Sequence, residues 1–134
     1  MMEKDFTDLM NCAQAQYPEA FSPLEDGGFV LAFEGLSIAF VPIPVEPEML
    51  YVRARVLNIS SVGRPGDFAK AAIAGNFFWG GTRGATLSIG EDNALYLTER
   101  RAADEFADAE ALEQCIRDFE LTVGDWRERS ELYA

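Results

Sequence analysis

The chain contains no histidine and only two cysteines, Cys12 and Cys115, in 134 residues. Without imidazole, Ser–His–Asp and Cys–His nucleophilic catalysis and most zinc sites are excluded. Two cysteines so far apart form neither a Cys-x-x-Cys motif nor a disulfide framework. Basic residues are scarce as well: 11 Lys plus Arg stand against 23 Asp plus Glu, a net charge of −12. A nucleic-acid binder needs clustered Lys and Arg for phosphate contacts, so no nucleic-acid partner is expected. No apolar run approaches the ~18 residues of a membrane span, so no membrane insertion is expected. The opening Met1-Met2-Glu3-Lys4-Asp5 is acidic and lacks the apolar stretch of a signal peptide. The expected setting is the cytoplasm.

What remains is ample for a core. The chain is 49% hydrophobic and 12% aromatic, and a domain of this length buries about 68–70% of its unfolded surface. Residues 1–134 are therefore expected to form a single domain. The charge is unevenly placed. Residues 1–34 carry seven acids against one lysine, residues 99–134 eleven acids against five arginines, and residues 35–98 balance five against five. Acidic ends read as solvated helix faces that keep an apolar centre in solution.

Phe6, Met10, Ala13 and Tyr17 recur at helical spacing with Leu9 beside them, so about 5–17 is expected as a helix closed by Pro18. Leu24–Gly28 is a turn, Phe29–Phe33 a strand, and Glu34-Gly35 a hairpin into Leu36–Val41. Pro42, Pro44 and Pro47 stop that strand. From 49 to 57, Leu50, Val52, Ala54 and Val56 alternate with Tyr51, Arg53 and Arg55. Asp67 is expected to cap a helix over 68–79 that ends at Gly80-Gly81, where left-handed backbone is usual. Ala85, Leu87 and Ile89 mark a fourth strand, and Leu95 with Leu97 a fifth. Leu112, Ile116, Phe119, Val123 and Trp126 define a final helix over about 108–131, with Asp108 and Glu110 at its positive end. The order α-β-β-β-α-β-β-α predicts an α+β fold, an antiparallel sheet with helices packed on it.

Several motifs carry no chemistry on inspection. Gly75-x4-Gly80-Gly81-Thr82 imitates a phosphate loop, but Gly81 stands where lysine is needed, and it follows a helix where a phosphate requires the start of one. Glu91-Asp92 and Asp104-Glu105 lack the spacing of a cation loop and read as turn and surface residues. Cys115 lies among Leu112, Ile116 and Phe119 as a small core residue. No catalytic constellation, metal site or cofactor is expected, and the protein is read as a non-enzyme.

The 68–79 helix stands apart. Phe68, Ala71, Ala72, Gly75, Phe78 and Trp79 form one apolar face, Ala69, Ile73 and Phe77 another, and Lys70 is its only charge. A helix apolar all round is buried all round. A sheet covers one face, and twofold pairing with a second copy is the expected cover for the other, the alternative being a helix sandwiched within one subunit. The first face is the expected dimer interface, and Ala72→Glu is expected to split the pair. Phe29–Phe33 and Leu36–Ile43 are also apolar on both sides, as in a covered central strand or a strand open to a partner peptide.

These features together resemble the CesT/Tir-type family of type III secretion chaperones. The resemblance is carried by Gly28-Phe29-Val30-Leu31-Ala32-Phe33-Glu34-Gly35, by Ala74-Gly75-Asn76, and by Gly84–Ile89 followed by Asn93–Leu97. It continues in Leu112-x3-Ile116-x2-Phe119 with Trp126, and so spans nearly the whole chain. It departs at the dimer helix, where the family usually carries Leu pairs and this chain has mostly Ala, and at Gly63-Arg64-Pro65-Gly66. The resemblance implies a homodimer that holds the N-terminal segment of a secreted effector in extended form and keeps it export-competent. It implies effector contacts on the first helix and the sheet, here Phe6, Leu9, Met10, Phe29, Leu31 and Phe33. The other readings are an acidic immunity or inhibitor protein that masks a basic surface, and a regulatory domain of the same fold.

Overall fold

In the computed structural model, which describes residues 5–134, the first helix begins at a reciprocal cap. The Asp5 carboxylate accepts from the Asp8 N–H at 3.0 Å, and the Asp8 carboxylate accepts from the Asp5 N–H at 3.1 Å. Helix α1 (Phe6–Gln16) turns Leu9 and Ala13 inward, and Pro18 follows its end as expected. Met1–Lys4, most of the segment read above for a leader, lie outside the described residues.

Strand β1 (Phe21–Pro23) is an element the sequence reading lacked. It pairs antiparallel with β2 (Phe29–Phe33), Phe21 opposite Leu31 and Pro23 opposite Phe29. β2 pairs in turn with β3 (Leu36–Pro42) across the expected hairpin, where Gly35 takes a φ of 75°. Pro42 ends β3, as the proline cluster predicts. In β4 (Met49–Asn58), Leu50, Val52, Ala54 and Val56 are all buried and Tyr51, Arg53 and Arg55 exposed, the alternation a one-sided strand requires. β5 (Thr86–Ile89) and β6 (Ala94–Ala102) form the last hairpin. At its turn the Asp92 carboxylate accepts from the Tyr96 hydroxyl at 2.5 Å and the Ala94 N–H at 3.1 Å, which holds it below the ordinary aspartate range. The six strands lie in one antiparallel sheet in the order β1-β2-β3-β4-β6-β5, with helices packed on it. The element order is thus α-β-β-β-β-α-β-β-α.

Helix α2 (Pro65–Gly75) departs from expectation at both ends. Arg64, not Asp67, is its N-cap; Pro65 sits at the first helical position, where its fixed φ fits and its missing N–H is no loss. Asp67 lies in the first turn and pairs with Arg64 at 3.6 Å. The helix stops at Gly75, four residues early, and a short 3-10 turn, Phe77–Trp79, follows. Left-handed backbone falls on Phe78 and Trp79, at φ 48° and 57°, whereas Gly80 is right-handed at −62°.

Helix α3 (Ala109–Ser130) matches its expected span. The Asp108 carboxylate accepts from the Ala111 N–H at 2.9 Å, capping the positive end. Leu112, Cys115, Ile116, Phe119, Val123 and Trp126 are buried along one stripe.

The chain condenses into two compact units, one running to Arg53 with Arg100–Arg117, the other comprising Ala54–Glu99 with Asp118–Ala134. The first unit buries Leu9, Phe29, Leu31, Ile38, Phe40 and Phe106; the second buries Phe68, Ala72, Leu87, Phe119, Val123 and Trp126.

Candidate functional site

The aromatic residues of the first unit form a continuous run. Phe29 stacks on Phe40 at 4.8 Å and on Phe21 at 5.4 Å, and Phe6 lies 5.7 Å from it. Aromatic packing of this kind contributes about 0.5–1.5 kcal/mol per pair beyond area burial. Phe29, Leu31 and Leu9 are therefore core residues in this chain, at most 1% exposed, and as placed they present no surface to a partner. Phe6, Met10 and Phe33 are half-buried and do reach the surface.

Phe33 borders an open groove of about 540 Å³, walled by Tyr17, Pro18, Ala20 and Ala32 together with Gln16 and Glu19. Tyr17 meets Phe33 edge to face at 5.7 Å, so the groove has a rigid aromatic side. Tyr17 enters the sequence pattern only as the last residue of a helical stripe. Its role beside the sheet depends on Pro18 ending α1, after which the chain folds back: the Phe21 N–H donates to the Tyr17 carbonyl at 3.0 Å. A second opening of the first unit, of about 410 Å³, is polar and bordered by Glu110, Glu113 and Arg117.

In the second unit the six residues expected at a dimer face separate. Phe68 packs edge to face on Trp126 at 6.2 Å and on Tyr133 at 5.6 Å, and Ala72 is fully buried. A Cβ at Gly75 would stand 2.4 Å from Trp126 Cζ2, so that glycine receives the indole of its own chain. Ala71 is half-buried. Phe78 and Trp79 are 79% and 56% exposed, and with Ile73 at 53% and Phe77 at 75% they form an apolar patch around the end of α2. A contiguous set of large apolar side chains this exposed marks an interaction surface in a folded protein. A further opening of about 480 Å³ is lined by Asp125, Glu128 and Glu131 with Arg129 and Leu132.

Among the described residues no three His, Cys, Asp or Glu side chains converge to hold a metal ion. No helix among them is long and apolar enough to cross a membrane. The glycine-rich Gly75–Thr82 segment follows the C-terminal end of α2, where carbonyls rather than N–H groups are exposed, the wrong polarity for a phosphate. The apolar surface on offer is the groove beside Phe33 in one unit and the exposed Ile73, Phe77, Phe78 and Trp79 in the other.

No curated protein matches the chain. Among solved structures it is similar to a chain of the ExsC–ExsE complex, with a TM-score of 0.74 and 18% identity over 92% of this chain and 95% of that one. It is also similar to a chain of the HopA1–SchA chaperone–effector complex, with a TM-score of 0.65 and 11% identity over 91% of each. A third likeness is to the Yersinia pestis structure of the type III secretion chaperone SycH in complex with a stable fragment of YscM2. There the TM-score is 0.55 and the identity 12%, over 94% of this chain and 96% of that one. At such identities these likenesses establish the fold. The model of the Tir chaperone protein (CesT) family matches residues 13–127, from the buried face of α1 to the end of the α3 core stripe, and the chain belongs to that family.

Proposed function

We propose that this protein is a cytoplasmic type III secretion chaperone whose residues 1–134 act as one domain. It binds the N-terminal segment of a secreted effector in extended form and keeps it competent for export. The observation that carries this reading is the groove along Tyr17, Ala20, Ala32 and Phe33. It lies beside the outermost strand of the sheet, so an extended peptide can seat alternate side chains in it while its backbone runs along the edge. Family membership supports the same reading, as do the chaperone–effector and chaperone complexes among the structures of like fold. Phe6, Met10 and Phe33 are the proposed contacts from the expected set; Leu9, Phe29 and Leu31 are buried, with Phe29 packed against Phe6.

The protein is further proposed to be a homodimer, joined through Ile73, Phe77, Phe78 and Trp79. That patch is self-complementary because it is apolar and Lys70 is the only charge in 68–79. Other parts of a chain carrying −12 repel a second copy.

The test is a titration with the labelled N-terminal segment of a candidate effector at low salt and at about 0.5 M, where the Debye length is roughly 4 Å. Affinity should change by less than about threefold, because apolar burial is not screened. Phe33→Asp should weaken binding by about 30-fold or more, the loss of one buried anchor, and leave the circular dichroism spectrum intact. Leu31→Asp should unfold the first unit, since it buries a carboxylate without a partner. A complex that dissolves in salt and ignores Phe33→Asp would instead indicate an acidic inhibitor masking a basic surface.

A further inference from the structure

The two edges of the sheet are not equivalent, and the hydrogen bonds say how. On the β5 side, the Gly90 N–H donates to the Ala94 carbonyl at 3.0 Å, and the register sets Ser88 opposite Tyr96 and Thr86 opposite Thr98. Bonded pairs alternate in an antiparallel ladder, so Leu87 and Ile89 turn their backbone groups away from β6. At Leu87 both groups are already taken. Asn76 Nδ2 donates to the Leu87 carbonyl at 2.9 Å, and the Leu87 N–H donates to Asn76 Oδ1 at 2.7 Å. Only one orientation of the amide satisfies both bonds. The side chain thereby copies the peptide group of a neighbouring strand. One step earlier, the Ala85 N–H donates to the Thr82 carbonyl at 3.1 Å. The outward groups that remain, the Ala85 carbonyl and the N–H and C=O of Ile89, lie on either side of the closed Leu87 and so do not make a continuous ladder.

The β1 side is built the other way. The Ala32 N–H donates to the Ala20 carbonyl at 3.0 Å and the Leu24 N–H to the Gly28 carbonyl at 2.8 Å, so Ser22 faces β2 while Phe21 and Pro23 face outward. The Phe21 N–H is bonded to Tyr17 and Pro23 has none, but the carbonyls of both point away from the sheet. Two acceptors one strand repeat apart can receive alternate N–H groups of an added chain.

We infer that Asn76 is a specificity-determining residue: its amide closes the β5 edge, and extended polypeptide joins the sheet at the β1 edge alone. The inference deepens the reading above, that an extended segment is held beside β1. It gives the Asn of Ala74-Gly75-Asn76 a task that no side-chain packing assigns it.

Amide exchange of the full-length protein by NMR tests it, with light scattering alongside. In the wild type, the Leu87 amide should exchange as slowly as that of Ser88, which is bonded to β6; rapid exchange at Leu87 would overturn the inference. In Asn76→Ala, Leu87 should exchange about fivefold to tenfold faster, the loss of one hydrogen bond, while Leu95 in β6 keeps its rate. The same variant should form species larger than the wild type as concentration rises, because an unblocked edge pairs with other chains. An unchanged Leu87 rate, or an unchanged mass with Leu87 open, overturns it. Should Asn76→Ala fail to fold, which faster exchange at Leu95 would reveal, the wild-type comparison of Leu87 with Ser88 still decides. Client binding is read separately through Phe33→Asp, so failure of the chaperone reading and failure of edge closure are distinguishable.

Discussion

Trp126→Ala should remove about 3–5 kcal/mol of folding stability, the range for emptying a large aromatic site in a packed core. The indole is 1% exposed, meets the Phe68 ring edge to face, and donates its Nε1 hydrogen to the Gly81 carbonyl at 2.9 Å. Truncation leaves a cavity that Gly75 and Gly81 have no side chains to fill, and it leaves a carbonyl without its donor. Domains of ordinary stability hold only about 5–15 kcal/mol in reserve. The variant should therefore unfold at much lower urea, with an unchanged slope if only the native state is affected. The chain has a second tryptophan, Trp79, 56% exposed. Trp79→Ala should move the stability of the separate chain, measured at a dilution where no dimer forms, by no more than about 0.5 kcal/mol, as surface changes do. Equal losses from the two would mean that the indole of Trp126 is not the keystone of its unit.

Ala72→Glu and Phe78→Glu should part company just as widely. Read from sequence alone, Ala72 belongs to a pairing face, and a carboxylate there splits two copies. In the structure Ala72 is fully buried within its own chain, so Glu at 72 should cost several kcal/mol of folding and yield insoluble or unfolded protein. Phe78 is 79% exposed, and Phe78→Glu should fold normally. In a homodimer joined through the aromatic patch, two facing carboxylates would sit where apolar rings met, and sedimentation should show the 14.8 kDa monomer. A soluble, folded Ala72→Glu monomer would return the interface to the middle of α2. A Phe78→Glu protein that still sediments as a dimer would move it away from α2 altogether.

Where periodicity was long and undivided, the sequence was a sufficient guide. The five-residue stripe from Leu112 to Trp126 and the four inward positions of β4 are buried as spaced, because nothing local competes with one-sided burial over that length. β1 was illegible for the opposite reason: three residues ending in proline carry no alternation, and their strand conformation comes from pairing with β2. The end of α2 was misplaced because its termination is a tertiary event. Apolar spacing continues through Trp79, yet the indole of Trp126 lies against Gly75 and the amide of Asn76 is held by Leu87, both distant in sequence. For the same reason the expected contact residues divided. An apolar residue on a strand or helix announces burial, and only the fold reveals whether its own chain supplies the cover. Leu9, Phe29, Leu31, Phe68 and Ala72 are covered, while Phe33, Phe78 and Trp79 keep surface of their own.

The close fit of Trp126 between two glycines also constrains how this chain can diverge. A Cβ at Gly75 would come within 2.4 Å of the indole and one at Gly81 within 3.2 Å, while the ring itself is bonded to Gly81. No side chain can appear at 75 while the indole stays, and the indole cannot shrink without opening a void that glycine leaves unfilled. Neither change is tolerable first, so the positions drift only together or through a destabilised intermediate. In related chains a residue larger than glycine at 75 should therefore coincide with a smaller ring or an aliphatic side chain at 126. The pair of substitutions should cost less than the sum of its parts, a dependence confined to residues in direct contact.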